Sequence, residues 1–223
     1  MARVTALLAL VVLLATVAPA ARAAGGCHVP SGAQVKARTE RAVAYREGSR
    51  LYGCLRRTGD RVLLARVGKR GDKVTRVAPI ALAGPYVVYA KRRTYADASS
   101  EFWGGVRVFR VDLRHPEQRD IDTPWGDPGP PSAFVERIVL APDGAYAYTA
   151  QGFEPDPVGE VYYEERLVVA HDEVGRRTLD HWGSRTGDDS GAIDLDSLVR
   201  NHRVLTWTHD GEQLSDRFRD AGR

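Results

Sequence analysis

The side chains able to do covalent or metal chemistry are few and scattered. Six histidines, His28, His115, His171, His181, His202 and His209, form no H-x-H or H-E-x-x-H pair. A metal site built on them has no sequence signature, since such sites want three or four ligands. No G-x-S-x-G elbow carries a serine nucleophile, and Thr186-Gly187-Asp188-Asp189-Ser190-Gly191 is acidic and loop-like. No catalytic residue is assigned. Asp188, Asp189, Asp194 and Asp196 gather the carboxylate oxygens that Ca²⁺ prefers, though not at EF-hand spacing. A weak structural calcium there is the one cofactor reading; otherwise none is expected. Glu154, Asp156, Glu160, Glu164 and Glu165 form a second acidic run. A glycan hydrolase would set two carboxylates across a cleft, about 5 to 10 Å apart, one of them raised in pKa by burial. That exported hydrolase is the alternative to a binding function.

Aromatic residues in polar or Gly/Pro-rich stretches suit recognition better than catalysis. Trp103, Trp125 and Trp182 fall in such stretches, outside the expected strands. With Tyr95, Phe102 and Phe153 they make the expected binding surface, the bland alternative being that they cap open sheet ends. The basic steps Lys91-Arg92-Arg93 and Arg176-Arg177 have Asp and Glu nearby in sequence to neutralise them. Arg70-Gly71-Asp72 spells an integrin-type tripeptide on a hairpin tip, an accident expected of an Arg- and Gly-rich chain.

Cys27 and Cys54 are the two cysteines. They follow a stretch with the layout of an export signal: Arg3, an apolar run over 4–17, then Ala18-Pro19-Ala20 and Ala21-Arg22-Ala23. The expectation is a signal peptide over 1–20, with cleavage after 23 as the variant, and a protein secreted or held at the cell-envelope exterior. The apolar run is shorter than the roughly 20 residues of a membrane-spanning helix, so no span is expected after cleavage. An uncleaved anchor and lipid attachment at Cys27 are the other readings. Ala24-Gly25-Gly26-Cys27 lacks a Leu three residues before the Cys. An even cysteine pair in an exported chain suggests a disulfide, worth roughly 3 kcal/mol by loop entropy.

The 223 residues carry 32 basic and 29 acidic groups, a net charge of +3. So close a balance gives no footprint for nucleic acid. The composition also excludes a cysteine-dense knot and a collagen-like repeat. Arginine supplies 28 of the basic residues and lysine 4; this reads as a coding bias and weakens arguments from any one arginine.

The elements that must position these groups are strands. Short β-branched and aromatic runs lie at 42–45, 50–55, 61–64, 86–89, 105–111, 136–140, 145–149, 160–164, 166–170 and 204–208, separated by Gly, Asp-Gly and Gly-Pro turns. The best helical candidate, 31–42, alternates as well as it recurs at helical spacing. An all-β chain follows, and its strands repeat. A second-strand aromatic recurs at Tyr45, Tyr89, Tyr148 and Trp207, at intervals of 44, 59 and 59 residues, near the length of a propeller blade plus loops. These four are the expected repeat core. The units run approximately over 31–70, 76–123, 133–182 and 192–220 of a single domain, 21–223.

Ile138-Val139-Leu140-Ala141-Pro142-Asp143-Gly144-Ala145-Tyr146-Ala147-Tyr148 resembles the Ser-Pro-Asp-Gly hairpin of TolB-like and WD40-like β-propeller repeats. Thr208-His209-Asp210-Gly211-Glu212 echoes it weakly, and Ala83-Gly84-Pro85 takes the turn position in the second unit without the Asp. With an N-terminal Cys and a Tyr-Gly-Cys strand, the chain is similar to degenerate propeller proteins secreted by high-GC bacteria. That resemblance implies a small or incomplete propeller-like array of about four antiparallel sheets, with no catalytic residues to carry over. The last unit ends near Phe218 without a clear fourth strand, so residues near Val35 complete it or the array stays open. An uncovered edge would favour self-association. The expected function is an exported non-catalytic binding or scaffold protein for an extracellular protein or glycan.

Overall fold

The computed structural model describes residues 26–95, 105–126, 130, 132–155, 162–185 and 190–222. They form four antiparallel sheets of four, five, four and three strands. The first holds β1 (Gln34–Arg38), β2 (Ala42–Glu47), β3 (Arg50–Leu55) and β4 (Arg61–Arg66). The second holds β5 (Gly68–Arg70), β6 (Lys73–Ala83), β7 (Tyr86–Tyr95), β8 (Val106–Asp112) and β9 (Arg119–Asp122). The third holds β10 (Ser132–Leu140), β11 (Tyr146–Pro155), β12 (Tyr162–Asp172) and β13 (Gly175–Arg185). The fourth holds β14 (Ile193–Asn201), β15 (Val204–His209) and β16 (Glu212–Arg217). Strands follow one another in space as in sequence, so each sheet is a meander. This is an all-β, propeller-like array. Among the described residues no helix is long and apolar enough to cross a membrane; the expected signal segment lies outside them.

The second strands β2, β7 and β11 carry the core because both of their faces are covered, which is why they read as continuous apolar runs. In β7, Val87 and Tyr89 pack against Ala42, Leu51, Leu64 and Ala65 of the first sheet. The alternate residues Val88 and Ala90 pack with Val135, Tyr146 and Tyr148 of the third. In β11, Tyr146 and Tyr148 face the second sheet, while Ala147 faces Leu205 and Trp207 of the fourth. Each sheet thus turns an aromatic toward its predecessor and small residues toward its successor. The first strands β1, β6, β10 and β14 pack in succession. Among the described residues no hydrophobic cluster joins the first sheet to the fourth.

In each of the last three sheets one such aromatic bonds its polar tip to the outermost strand of the preceding sheet, whereas the buried Tyr146 hydroxyl has no hydrogen-bond partner among the described residues. The Tyr89 hydroxyl donates to the Leu64 carbonyl of β4 at 2.8 Å. The Tyr148 hydroxyl donates to the Asp122 carboxylate of β9. The Trp207 indole donates to Asp180 of β13 at 2.6 Å. Burial pushes the Tyr89 phenol up to about 12, with Arg119 opposing, and pushes Tyr148 up as well, helped by the Asp122 charge. Both remain neutral donors at physiological pH. Apolar bulk and one satisfied polar tip in a single side chain explain why an aromatic with a polar handle recurs here.

Turns between first and second strands also touch. A Cβ on Gly84, whose φ is +55°, would lie 2.9 Å from the Pro142 carbonyl oxygen, and one on Gly144 would lie 3.0 Å from the Tyr86 ring. Glycine is required at both for close approach. Asp210-Gly211 has two successive positive φ angles, 52° and 74°, as a two-residue type I′ hairpin needs. It joins β15 to β16, so its echo of Pro142-Asp143-Gly144 falls one strand later in its sheet. The equivalent turn in the fourth sheet is Asn201-His202-Arg203.

Several expectations need correction. The helical candidate 31–42 is β1 and the start of β2, whose register opposite β2 is fixed by tertiary pairing. Val35 pairs with Tyr45 in the first sheet and does not complete the fourth. Gly68–Arg70, placed with the first unit, pairs with β6 in the second sheet. Residues 162–164 of one expected run and the whole run 166–170 belong to a single strand, β12. Tyr95, Phe153 and Trp182, expected on loops, end or lie within β7, β11 and β13. Long pairings extend these strands past their apolar cores, into segments too polar to read as strand.

Candidate functional site

Where β9 ends, the second sheet loses its outer neighbour. Asp122 pairs with Val108 in the last rung of β8 and β9, and the chain then turns through residues 123–126, closed by a Gly126 N–H to Thr123 carbonyl bond of 3.0 Å. The Cβ-less Gly152 of β11 makes room for this turn. A Cβ there would meet Pro130 at 2.8 Å and the Trp125 ring at 2.9 Å. Trp125 is half-buried against the cluster between the second and third sheets, and its indole N–H is buried without a hydrogen-bond partner.

Between this turn and the uncovered end of β8 lies a cleft of about 250 Å³, with Trp125, Pro124, Pro130, Ala133, Val106 and Phe109 among its apolar walls. Lys91, Arg93 and Arg107 supply its charge, and its described lining includes no carboxylate. Alternation along β7 sends Lys91 and Arg93 to one face and Arg92 to the other, where the Arg92 guanidinium sits 3.6 Å from the Phe134 ring centroid. Lys91 stands directly opposite Arg107 across the β7–β8 ladder. Like charges so placed destabilise a sheet. The Lys91 ammonium is 5.5 Å from the Phe109 ring centroid, and Phe109 stacks on Tyr89 at 5.1 Å. Burial lowers the Lys91 pKa, and the charges of Arg93, Arg107 and Arg119 lower it further. Of the Lys91-Arg92-Arg93 step, Lys91 feels three other cations, while Arg92 feels the Glu136 carboxylate. For Arg176-Arg177 the acids are in place: Arg176 bonds Asp122 at 3.1 Å, and Arg177 bonds Asp172 at 2.9 Å and Asp216 at 2.6 Å.

Asp122 anchors the root of the turn. Its buried carboxylate takes bonds from Tyr148, from His171 Nε2 at 2.9 Å and from Arg176 Nε at 3.1 Å. Arg176 also bonds the Pro124 carbonyl, and Tyr146 stacks on His171 at 4.7 Å. Burial alone would raise the Asp122 pKa, but the bonds from His171 and Tyr148 and the charge of Arg176 outweigh it, and it is held below the usual carboxylate range. A carboxyl meant to donate a proton would be shifted the other way. Asp112 and Asp172 are also lowered, each by hydrogen bonds and an arginine that outweigh burial. Glu164 is engaged by Gln151 at 2.6 Å and Arg166 at 2.5 Å.

The other expected site residues are dispersed. Trp182 donates to the Ser190 carbonyl at 3.3 Å, lies under Arg166 and packs between the third and fourth sheets. Phe153 meets Phe134 edge-on at 6.3 Å. Tyr95 ends β7 opposite Lys73. Phe102 and Trp103 lie outside the described residues, as do Asp188 and Asp189. Asp194 uses its carboxylate to accept the Asp196 N–H at 3.1 Å. Among the described residues no three His, Cys, Asp or Glu are grouped to hold a metal. Tyr45, Tyr89, Tyr148 and Trp207 are all buried. Among the described residues of the expected recognition surface, Trp125 is the one that lines the cleft; the sequence missed Lys91, Arg93 and Arg107 as its companions. The signal was available as two cations at alternate positions of one strand and a third on the next.

No protein-family model matches the chain, and no curated protein matches it. Among its described residues the cleft sets cationic side chains beside apolar walls.

Proposed function

We propose that the chain is an exported, non-catalytic recognition protein on a degenerate TolB-like or WD40-like propeller array, with its binding face at the Trp125 cleft. The observation that carries the reading is the grouping of Lys91, Arg93 and Arg107 with Trp125 and Phe109 around a cleft whose described lining includes no carboxylate. The family reading is supported by the meandering sheets of three to five strands, by the tight Pro142-Asp143-Gly144 turn, with its Gly144 N–H to Ala141 carbonyl bond of 3.0 Å, and by the repeated aromatic latch. Export is supported by the signal-like N-terminal residues and by the Cys27–Cys54 disulfide, a bond suited to oxidising compartments.

Thermal-shift screening of soluble ligands against the parent and the Arg93→Gln/Arg107→Gln double variant tests the binding face. Both side chains are exposed, so the variant keeps the fold. Ligands that stabilise the parent should lose that effect in the variant. Hits that persist undiminished would move the binding face elsewhere.

A further inference from the structure

The Cys27–Cys54 bond fixes where the N-terminal residues join the fold. Cys54 ends two positions before Arg56, and a Cβ on Gly26 would stand 3.7 Å from the Arg56 carbonyl oxygen. The residues before Gly26, with their apolar run over 4–17, therefore enter the domain beside Arg56 and Arg57. Four arginines gather at this entry. Arg41 between β1 and β2, Arg56 and Arg57 after β3, and Arg114 after β8 line one depression, and Glu40 is the acid among its described lining. The Arg56 N–H donates to the Arg41 carbonyl at 2.9 Å, which ties two of the turns together. Arg114 is held by Asp112 at 2.6 Å. Among the described residues the exposed side chains of Arg41, Arg56 and Arg57 make no hydrogen bond or ion pair. The residues before Gly26 contain no Asp or Glu to answer them. Acids at the same end of the third sheet are engaged at home, Asp143 by Arg203 and Asp172 by Arg177. The described chain is interrupted beyond β7, β9, β11 and β13, at the ends of those strands away from the arginines.

We infer that this arginine end is a docking face for an anionic lipid bilayer, whose headgroup phosphates are the groups bound. Guanidinium and phosphate pair through two parallel hydrogen bonds, and each cation at an anionic bilayer surface strengthens attachment about fivefold. The chain itself names the occupant. An export signal takes its apolar run to a membrane, and here that run joins the domain at the arginines, so headgroups are the anions this end meets first. The attachment is peripheral and sensitive to salt, since exposed charges are screened beyond a Debye length. It also orients the protein. β7 starts at Tyr86, beside Pro85 of the depression, and reaches Lys91 and Arg93 of the Trp125 cleft about 20 Å further on, at about 3.3 Å per residue. Docked by its arginines, the protein presents the cleft on the side away from the bilayer.

Co-sedimentation of the exported protein with phosphatidylcholine vesicles, plain or carrying phosphatidylglycerol, tests this. The parent should bind the phosphatidylglycerol vesicles, leave the plain ones, and come off as salt is raised. Arg41→Gln/Arg56→Gln/Arg57→Gln should bind about 100-fold more weakly. Arg66→Gln/Lys69→Gln/Arg70→Gln removes the same charge at the far end of the first two sheets and should stay within about twofold of the parent. All six side chains are exposed, and a denaturation midpoint shared with the parent checks that both variants remain folded. Equal loss in the two variants would mean attraction by net charge alone and would overturn the docking face. Failure to bind either kind of vesicle, or equal binding of both, would overturn it too. Tighter binding of soluble polyphosphate than of the vesicles, lost in the Arg41→Gln/Arg56→Gln/Arg57→Gln variant, would give the arginines to a dissolved polymer and overturn the bilayer assignment. None of these outcomes touches the Trp125 cleft, whose own test changes different residues.

Discussion

The outward faces of the first and fourth sheets pose the same problem and solve it differently. In the first sheet, Val43, Tyr45, Tyr52 and Cys54 form an outward cluster covered by Cys27, Val29 and Ala33. Where an interior sheet would find a predecessor, this one finds a chain segment stapled through Cys27–Cys54, with Cα atoms 5.9 Å apart. In the fourth sheet, the face opposite Leu205 and Trp207 presents rungs of Val199, Thr206 and Ser215, and of Thr208 and Gln213. Those residues tolerate water, with Val199 44% exposed. An array of stacked sheets needs its terminal faces capped or polar. Here one end is capped by a covalent strap and the other by composition. The aromatic that faces backward in every sheet explains the asymmetry: the first sheet has Tyr45 with no predecessor, while the last has only small and polar residues facing forward.

The largest test breaks the strap. The Cys27→Ala/Cys54→Ala variant should lose about 3–4 kcal/mol from its 27-residue separation, read as a lower chemical-denaturation midpoint, with Tyr45 and Tyr52 more accessible to solvent. An unchanged midpoint would mean that packing alone holds the cap. An interior junction supplies the reference. Asp122→Ala leaves Tyr148, His171 and Arg176 without their shared acceptor, and breaking such a buried charged contact should cost about 3 kcal/mol, read by the same denaturation.

The same carboxylate sets an acid limit. Because its pKa is lowered in the folded state, the stability it contributes is fully present above its unfolded value, about 3.9. That stability is lost as pH falls through the lower folded value. Asp112 and Asp172 act in the same direction. Denaturation measured between pH 2 and 6 should show a shallower acid limb in Asp122→Ala than in the parent; identical limbs would place the acid sensitivity elsewhere.

Smaller effects sharpen the picture. Gly152→Ala forces a methyl against Pro130 and Trp125 and should cost about 2 kcal/mol by overpacking, with a change in tryptophan fluorescence. On the polar outward face, Thr206→Ala/Ser215→Ala should stay within about 0.5 kcal/mol of the parent. A drop comparable to that of the strap variant would show that something covers this face too.

Much of the architecture was legible because the second strands bury both faces: 42–45, 86–89 and 145–149 could hardly be anything but core strands. The outer strands were harder. β13 reads GRRTLDHWGSR, a largely polar sequence whose strand character comes from pairing with β12. The site was half legible. Trp125 stood out by its Gly/Pro setting, but its cationic companions did not, because sequence neighbours of a strand residue point to the opposite face while its spatial neighbours come from the next strand. Arg107, sixteen positions on, is the true neighbour of Lys91.

The sequence alone determined the secondary-structure class, the period of the aromatic latches and the pairing of two cysteines, because these depend on local alternation, turn chemistry and a count of two. The tertiary structure decided the rest. It chose which acceptor each latch meets, set Asp122 under the Trp125 turn, ended the pairing of β8 with β9 at Val108, and covered one terminal face with the Cys27 segment while the other presents Thr206 and Ser215. Each of those outcomes depends on strand register and on the stacking of sheets, which bring together residues far apart in the chain.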